Sequence, residues 1–429
     1  MTSLLFLLSC ATNQSAYRDI DINVNAAFYE RALDYLDIPQ LQNYLYPPRN
    51  EILFFLDRGM VRHYAGLWAG SVSDLSMGEA LIESAFSKSI TQEIGSYILN
   101  DNVKEYPGED YEDLYINVFN ALNFYFLDDT EAALVEVRRV NEKLRFLAGK
   151  YEKAVDKVVS SDSKLGDFRY AVEASRFSNS ALARYLSLLF YRSYGYSDNA
   201  RIDLGELYRA YDLAPDVYNH RPPSHLYYEL SVPAGKARLN VIGFTGLSPV
   251  KEEVSYRIPL PLPFPNNSAR LSLPHMIDRP SDITHVEIVT NRGQRFYLEL
   301  IEDLGRVSRE TFKSRYGLIV LKTAARAIAK SVTSAGAAAV VSKESGNNVL
   351  GSFIGLIGRI SADLSENADI RVSRYFPGRA YVGGINLDPG VYTLRVNYYG
   401  RRGLVASEER SNVQVSANRL NLVEFVCLK

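Results

Sequence analysis

The feature that most constrains this chain is a change of period near residue 216. From about residue 20 to 215 apolar side chains recur at helical spacing. The runs are Val24–Asp37, Asn50–Ala65, Leu75–Leu99, Tyr111–Leu127, Thr130–Leu147, Phe177–Tyr194 and Asp198–Leu213. Pro47-Pro48 and Pro215 fall where helices should start or stop. Beyond that point Pro222-Pro223, Pro233 and the run Pro259-Leu-Pro-Leu-Pro-Phe-Pro265 interrupt any helix. Alternating segments follow at Ala237–Phe244, Glu253–Ile258, Thr284–Val289 and Arg295–Leu300. A second set lies at Tyr381–Leu387, Val391–Tyr398, Val413–Ser416 and Leu420–Leu428, and both sets read as strands. The expected class is therefore α+β and multidomain: a helical domain over 21–216, then a β-rich, sandwich-like domain over 225–429 that joins both strand sets.

Among the helices a single pattern recurs. Ala121-x-x-Phe124 precedes a turn at Leu127–Thr130 and then Ala133, Val137 and Val140. Leu188-x-x-Tyr191 precedes a turn near Gly195–Asn199 and then Ala200, Leu204 and Leu207. Val61-x-x-Tyr64 precedes a turn at Gly66–Gly70 and then Ser73, Met77 and Ala80. These spacings match the tetratricopeptide repeat, in which a small residue lets two helices pack closely. The copies are unevenly spaced, so an unrelated helical bundle is the alternative. Stacked pairs would offer a concave face, with Tyr64, Phe124, Tyr125 and Tyr191 as candidate partner-binding side chains. Packing inside the repeats is the competing role for each.

The β-rich domain is interrupted by a helical pattern over about 312–365. Leu318, Leu321, Ala325, Ile328, Val332, Ala335 and Ala339 form one apolar seam. Leu350, Phe353, Ile357, Ile360 and Leu364 form a second after a polar turn at 342–348, which describes an inserted helical hairpin. Membrane insertion through Gly351-x-x-x-Gly355 is the alternative, but Lys322, Arg326 and Lys330 interrupt the first seam. Packing on the rest of the protein is the expectation.

Charge and cysteine content narrow the function classes. The formal net charge of the 429 residues is -2, which gives no reason to expect nucleic acid as a partner. Residues 301–429 carry 18 Lys and Arg against 11 Asp and Glu, leaving residues 1–300 near -9. Two cysteines at opposite ends, Cys10 and Cys427, cannot form a disulfide framework, and Cys427 is expected as a buried apolar thiol. The segment Thr2-Ser-Leu-Leu-Phe-Leu-Leu-Ser-Cys10 is a short apolar run ending in a small residue and cysteine, too short to span a bilayer. Leu7-Leu8-Ser9-Cys10 resembles a bacterial lipobox, which implies acylation of Cys10 and two or three acyl chains as a stable anchor. Residues 1–20 are then a signal remnant and linker.

Three segments carry a wider resemblance: Pro48-Arg-Asn-Glu-Ile-Leu-Phe-Phe-Leu-Asp-Arg-Gly59, Leu99–Tyr125 and Ala133-Leu-Val-Glu-Val-Arg-Arg-Val-Asn-Glu-Lys143. They resemble a family of uncharacterised bacterial lipoproteins with tetratricopeptide-like helices. The resemblance covers the helical half well and the C-terminal half more faintly. It implies a lipid-anchored protein of the cell envelope, at the outer membrane and facing the periplasm. Signals in that family are longer than the one here, which implies a start upstream of Met1. The resemblance supplies no catalytic residues.

Catalytic chemistry is not indicated by the motifs. His63, His220, His225, His275 and His285 are scattered, and HExxH, GxSxG, P-loop and GxGxxG patterns do not occur. The acidic run Glu109–Asp113 lacks the order of a calcium loop and is expected as solvated capping of the next helix. The expectation is a non-catalytic scaffold, without metal or cofactor, that binds an envelope protein or peptide. A periplasmic ligand-binding accessory protein for transport or cell-wall synthesis is the alternative, and a wall hydrolase a more distant one.

Overall fold

The structure is a computed structural model and describes residues 17–91, 105–147, 149–150, 156, 175–259, 268–279, 281–334 and 368–429. Helices fill the N-terminal half and a curled, mainly antiparallel sheet fills the C-terminal half. The helices are α1 (Arg18–Asn25), α2 (Tyr29–Leu36), α3 (Pro39–Leu45), α4 (Glu51–Tyr64), α5 (Trp68–Thr91), α6 (Asp110–Phe126), α7 (Thr130–Leu147), α8 (Ala181–Ser193) and α9 (Ser197–Leu213). The run expected as one helix over Val24–Asp37 is broken, because Ala27 adopts a left-handed φ of 60° and turns the chain between α1 and α2.

Three helical hairpins follow: α4 with α5, α6 with α7, and α8 with α9. Two of the three motif copies place their residues as expected. Ala133, Val137 and Val140 are buried on α7, and Ala200, Leu204 and Leu207 on α9. In the third, Ser73, Met77 and Ala80 are exposed, and the buried face is Ser71, Leu75, Gly78 and Ile82. The cause is Gly59 on α4. A Cβ there would stand 2.8 Å from Leu75 Cδ2, so the closest approach falls at Leu75 and rotates α5 relative to the expected register.

The strands are β1 (Ala237–Pro259), β2 (Ser268–Arg279), β3 (Ile283–Thr290), β4 (Arg295–Asp303), β5 (Pro377–Leu387), β6 (Gly390–Gly400), β7 (Gly403–Val415) and β8 (Asn421–Cys427). Their order is β2-β1-β5-β4-β3-β6-β7, and β8 lies parallel to β1. The two segments expected at 237–244 and 253–258 are one strand. β2 was not foreseen, since Pro274 and its polar neighbours hide the alternation. β7 begins ten residues before the expected 413 because its first half is exposed on both faces and carries no apolar period.

Alternation divides the sheet between two cores. Leu239 and Val241 of β1, Tyr381 of β5, and Val423 and Phe425 of β8 face into the curl. Their neighbours Ile242, Phe244, Ala380, Val382 and Leu422 face the helices. Both faces at the start of β1 are buried, although Arg238 and Asn240 stand among its apolar residues on the side that faces the helices. The helical half and the sheet thus share one continuous core, to which Tyr375 and Phe376 also belong. Helix α10 (Leu304–Ser334) follows β4 and packs on α6, β1 and β5. It contains the first seam of the expected hairpin as far as Val332, starting earlier than foreseen; the turn at 342–348 and the second seam lie outside the described residues. Among the described residues no helix is long and apolar enough to cross a membrane.

Candidate functional site

The joint between helices and sheet is built from buried polar groups. On α6, Asn117, Asn120 and Asn123 recur at steps of three on one face, all buried. Asn117 donates to Glu79 and Glu136, and Asn123 donates to Ser71 Oγ at 2.9 Å. The Asn123 Oδ1 lies 2.7 Å from Nδ1 of His63. The opposite ring nitrogen of His63 is 3.0 Å from the Glu424 carboxylate on β8. Burial alone would lower the His63 pKa, but the carboxylate and the amide outweigh it and the net shift is upward.

Further carboxylates hold the segment before β5. Asp57 accepts hydrogen bonds from Tyr46 Oη, Ser373 Oγ and the Arg374 amide at 2.7–2.8 Å. Glu112 accepts from the Ser373 amide at 2.6 Å and from Tyr106 Oη at 2.7 Å. Burial pushes the Asp57 carboxyl up to about 6. Burial together with the neighbouring Glu109 carboxylate pushes Glu112 up to about 7. Glu302 of β4 is also fully buried and accepts from Tyr115, Tyr218, Ser180 and the Leu182 amide. Its pKa is raised by burial.

These positions correct one expectation from the sequence. Glu109 and Glu112 do form a capping box at the start of α6, but Glu109, Asp110 and Glu112 are buried, not solvated. Glu109 pairs with Lys251 of β1 and with Arg315 of α10, and Asp110 pairs with Lys150. The acidic run is a docking point for the C-terminal half. Its cap was visible in the sequence, whereas the two cations on Glu109 stand 142 and 206 positions away.

The four candidate partner-binding aromatics divide accordingly. Tyr64 donates to the Tyr375 carbonyl at 2.7 Å and its ring meets Tyr29 at 5.5 Å. Tyr125 donates to the Leu420 carbonyl and accepts from the Leu422 amide, which occupies the outer edge of β8. Phe124 is half-buried and packs on the shared core. Tyr191 is also half-buried on the shared core, but its outer side is free of the sheet: its ring carries the Arg138 guanidinium of α7, and its hydroxyl accepts from Arg138 Nε at 3.2 Å. Cys10, the candidate lipidation site, lies outside the described residues. Cys427 is a free, buried thiol whose pKa burial raises, as its alternating segment suggested.

Around Tyr191 the hairpin turns carry a row of exposed and half-buried apolar groups. Tyr191 meets Tyr196, and Tyr196 stacks on Tyr194 at 6.0 Å. Tyr194 stands beside Thr130 and Glu131 at the start of α7. At the next turn Trp68 stacks on Phe126 at 5.1 Å, with Leu67 and Leu127 exposed beside them. The three turns therefore lie along one side of the helical half. Tyr196, the most exposed of the three tyrosines, carries no signal in the sequence because it sits in a turn outside the helical period. Among the described residues no group of three or more His, Cys, Asp or Glu is arranged to hold a metal ion. Comparison with protein-family models, with curated proteins and with solved structures finds no match for this chain.

Proposed function

We propose that this protein is a lipid-anchored, non-catalytic scaffold of the cell envelope that binds a protein or peptide partner along its hairpin turns. The observation that carries this reading is the row formed by Leu67, Trp68, Leu127, Tyr191, Tyr194 and Tyr196, joined by the cation of Arg138. Tyrosine, tryptophan and arginine dominate the energetics of protein interfaces, and here they stand on helix ends whose other faces are fixed in the core. In this reading the hairpins are tetratricopeptide-like repeats over 21–216. The segment from 225 to 429 is a sandwich-like unit with a helical hairpin insertion, which orients the repeats. Cys10 supplies the anchor, at an outer membrane facing the periplasm.

The test is a photo-crosslinking residue placed at Tyr196 in the full chain, in intact cells. The scaffold reading expects discrete adducts that disappear when Arg138 and Tyr194 are replaced by Ala. No adduct beyond those of an unrelated lipid-anchored protein would remove its support.

A further inference from the structure

The corner between α1 and α2 has a composition that the scaffold surface does not use. Arg18 and Ile22 of α1 and Ala26 at its C-cap follow each other at steps of four, and all are exposed. The opposite face, Ile20 and Val24, is buried in the core. The chain then turns at Ala27, with φ 60°, and presents Phe28, which is 53% exposed. The guanidinium of Arg31 sits over the Phe28 ring, 5.0 Å from its centroid. Ile22, Ala26, Ala27 and Phe28 are thus four exposed apolar residues at one corner of the chain, flanked by Arg18 and Arg31, and a shallow recess is lined by Ala27, Phe28, Tyr29, Arg31 and Tyr64. Exposed Asp19 and Glu30 balance the two cations, so the local net charge is near zero.

We propose that this corner is where the protein touches a lipid bilayer, with Phe28 and Ile22 at the boundary between headgroups and acyl chains. Arg18 and Arg31 reach the phosphates, their stems covering apolar surface as snorkelling side chains do. The inference rests on the reading that Cys10 is acylated. Eight residue steps separate Cys10 from Arg18, so whatever their conformation Arg18 lies within about 28 Å of the lipidated residue. No other exposed aromatic group in the described residues is tethered so closely. Tyr44 follows only on α3, and Tyr227 and Tyr228, more exposed than Phe28, lie more than 200 positions downstream of Cys10. Charge balance makes the contact one of apolar insertion and local phosphate pairing, not of bulk attraction to anionic lipid.

The experiment uses the full, lipidated chain, purified from membranes and reconstituted into phosphatidylethanolamine–phosphatidylglycerol vesicles with brominated acyl chains. Trp68→Phe removes the single native tryptophan, and Phe28→Trp then places the probe at an already exposed position. Its emission is expected to shift to the blue and to fall roughly twofold, as for a ring about 5–10 Å into the interface. Tyr297→Trp, on an exposed strand position, is expected to stay unquenched in the same vesicles. A lipidated chain whose Trp at 28 is unquenched, or is quenched no more than Trp at 297, overturns the inference and leaves the anchor standing. Mass spectrometry that finds Cys10 unmodified overturns both.

Discussion

Nε2 of His63 on α4 lies 3.0 Å from the carboxylate of Glu424 on β8, although 361 positions separate the two residues. The pair ties the first helical hairpin to the last strand, and both side chains are buried. Because the folded-state pKa of His63 is above its ordinary value, the pair's contribution is complete below about pH 6.5. It is lost as pH rises through the folded-state value. Glu424→Ala leaves the imidazole buried without its carboxylate and is expected to cost about 3 kcal/mol near pH 6 in urea unfolding, with the His63 titration moving to lower pH by NMR. A cost that does not diminish at higher pH, or an unmoved titration, would remove the electrostatic account.

Glu112 and Asp57 act in the same direction for a different reason. Their folded-state pKa values, about 7 and about 6, lie above those of exposed carboxylates, so the native state binds more protons than the unfolded one between about pH 4 and 7. Stability is therefore expected to fall as pH rises through this window, Glu112 alone contributing about 3 kcal/mol at most. Glu112→Gln should flatten the profile while lowering stability at pH 5, since an amide cannot accept from Ser373, Tyr106 and Glu109 together. Unfolding measured from pH 5 to 8 decides it: a wild-type profile that rises with pH would contradict the assignment.

The sequence carried the elements and not their junction. Helices α4, α7 and α9 were readable because each keeps a polar side, α6 because it is apolar on nearly every side and capped at its start, and β3, β4 and β6 because each alternates. β2 was not, because Pro274 and its polar neighbours break the alternation around the buried Leu273 and Met276, and the first half of β7 was not, because a sheet edge buries too little to show a period. The joint was hidden for another reason. Asp57, Glu112, Glu302 and Glu424 read as ordinary surface acids until the fold brings each of them a partner from 187 to 361 positions away. The one local trace was the spacing of Asn117, Asn120 and Asn123 on the face of α6 that also carries apolar residues. Polar groups repeating at core positions signal a buried network.

Gly59 tests how closely α4 and α5 approach. A Cβ at this position meets Leu75 Cδ2 at 2.8 Å and Asp74 Cβ at 3.2 Å. In an open helix Gly→Ala would stabilise by about 1 kcal/mol, but here overpacking is expected to win and Gly59→Ala to cost about 1–3 kcal/mol. The double variant with Leu75→Ala should lose less than the two single costs combined, because the truncated side chain makes room for the new methyl group. Additive losses in thermal unfolding would show that the helices are not in contact at this point.

Tyr125 and Tyr191 separate structural from interaction surfaces. The Tyr125 hydroxyl serves two backbone groups on either side of Asn421 at the outer edge of β8, the Leu420 carbonyl and the Leu422 amide. Tyr125→Phe leaves both without that partner and is expected to cost about 1–3 kcal/mol, with faster amide exchange at Leu422. Tyr191→Phe loses only a half-exposed bond to Arg138 and keeps the ring beneath the guanidinium, so its effect on unfolding should stay within about 0.5 kcal/mol. Partner crosslinking at Tyr196 should respond in the opposite order, because removing Arg138 or Tyr194 alters the exposed row while Tyr125→Phe removes only a hydroxyl directed at β8. If Tyr125→Phe abolished crosslinking without destabilising the fold, the partner surface would lie at the helix–sheet joint and not at the hairpin turns.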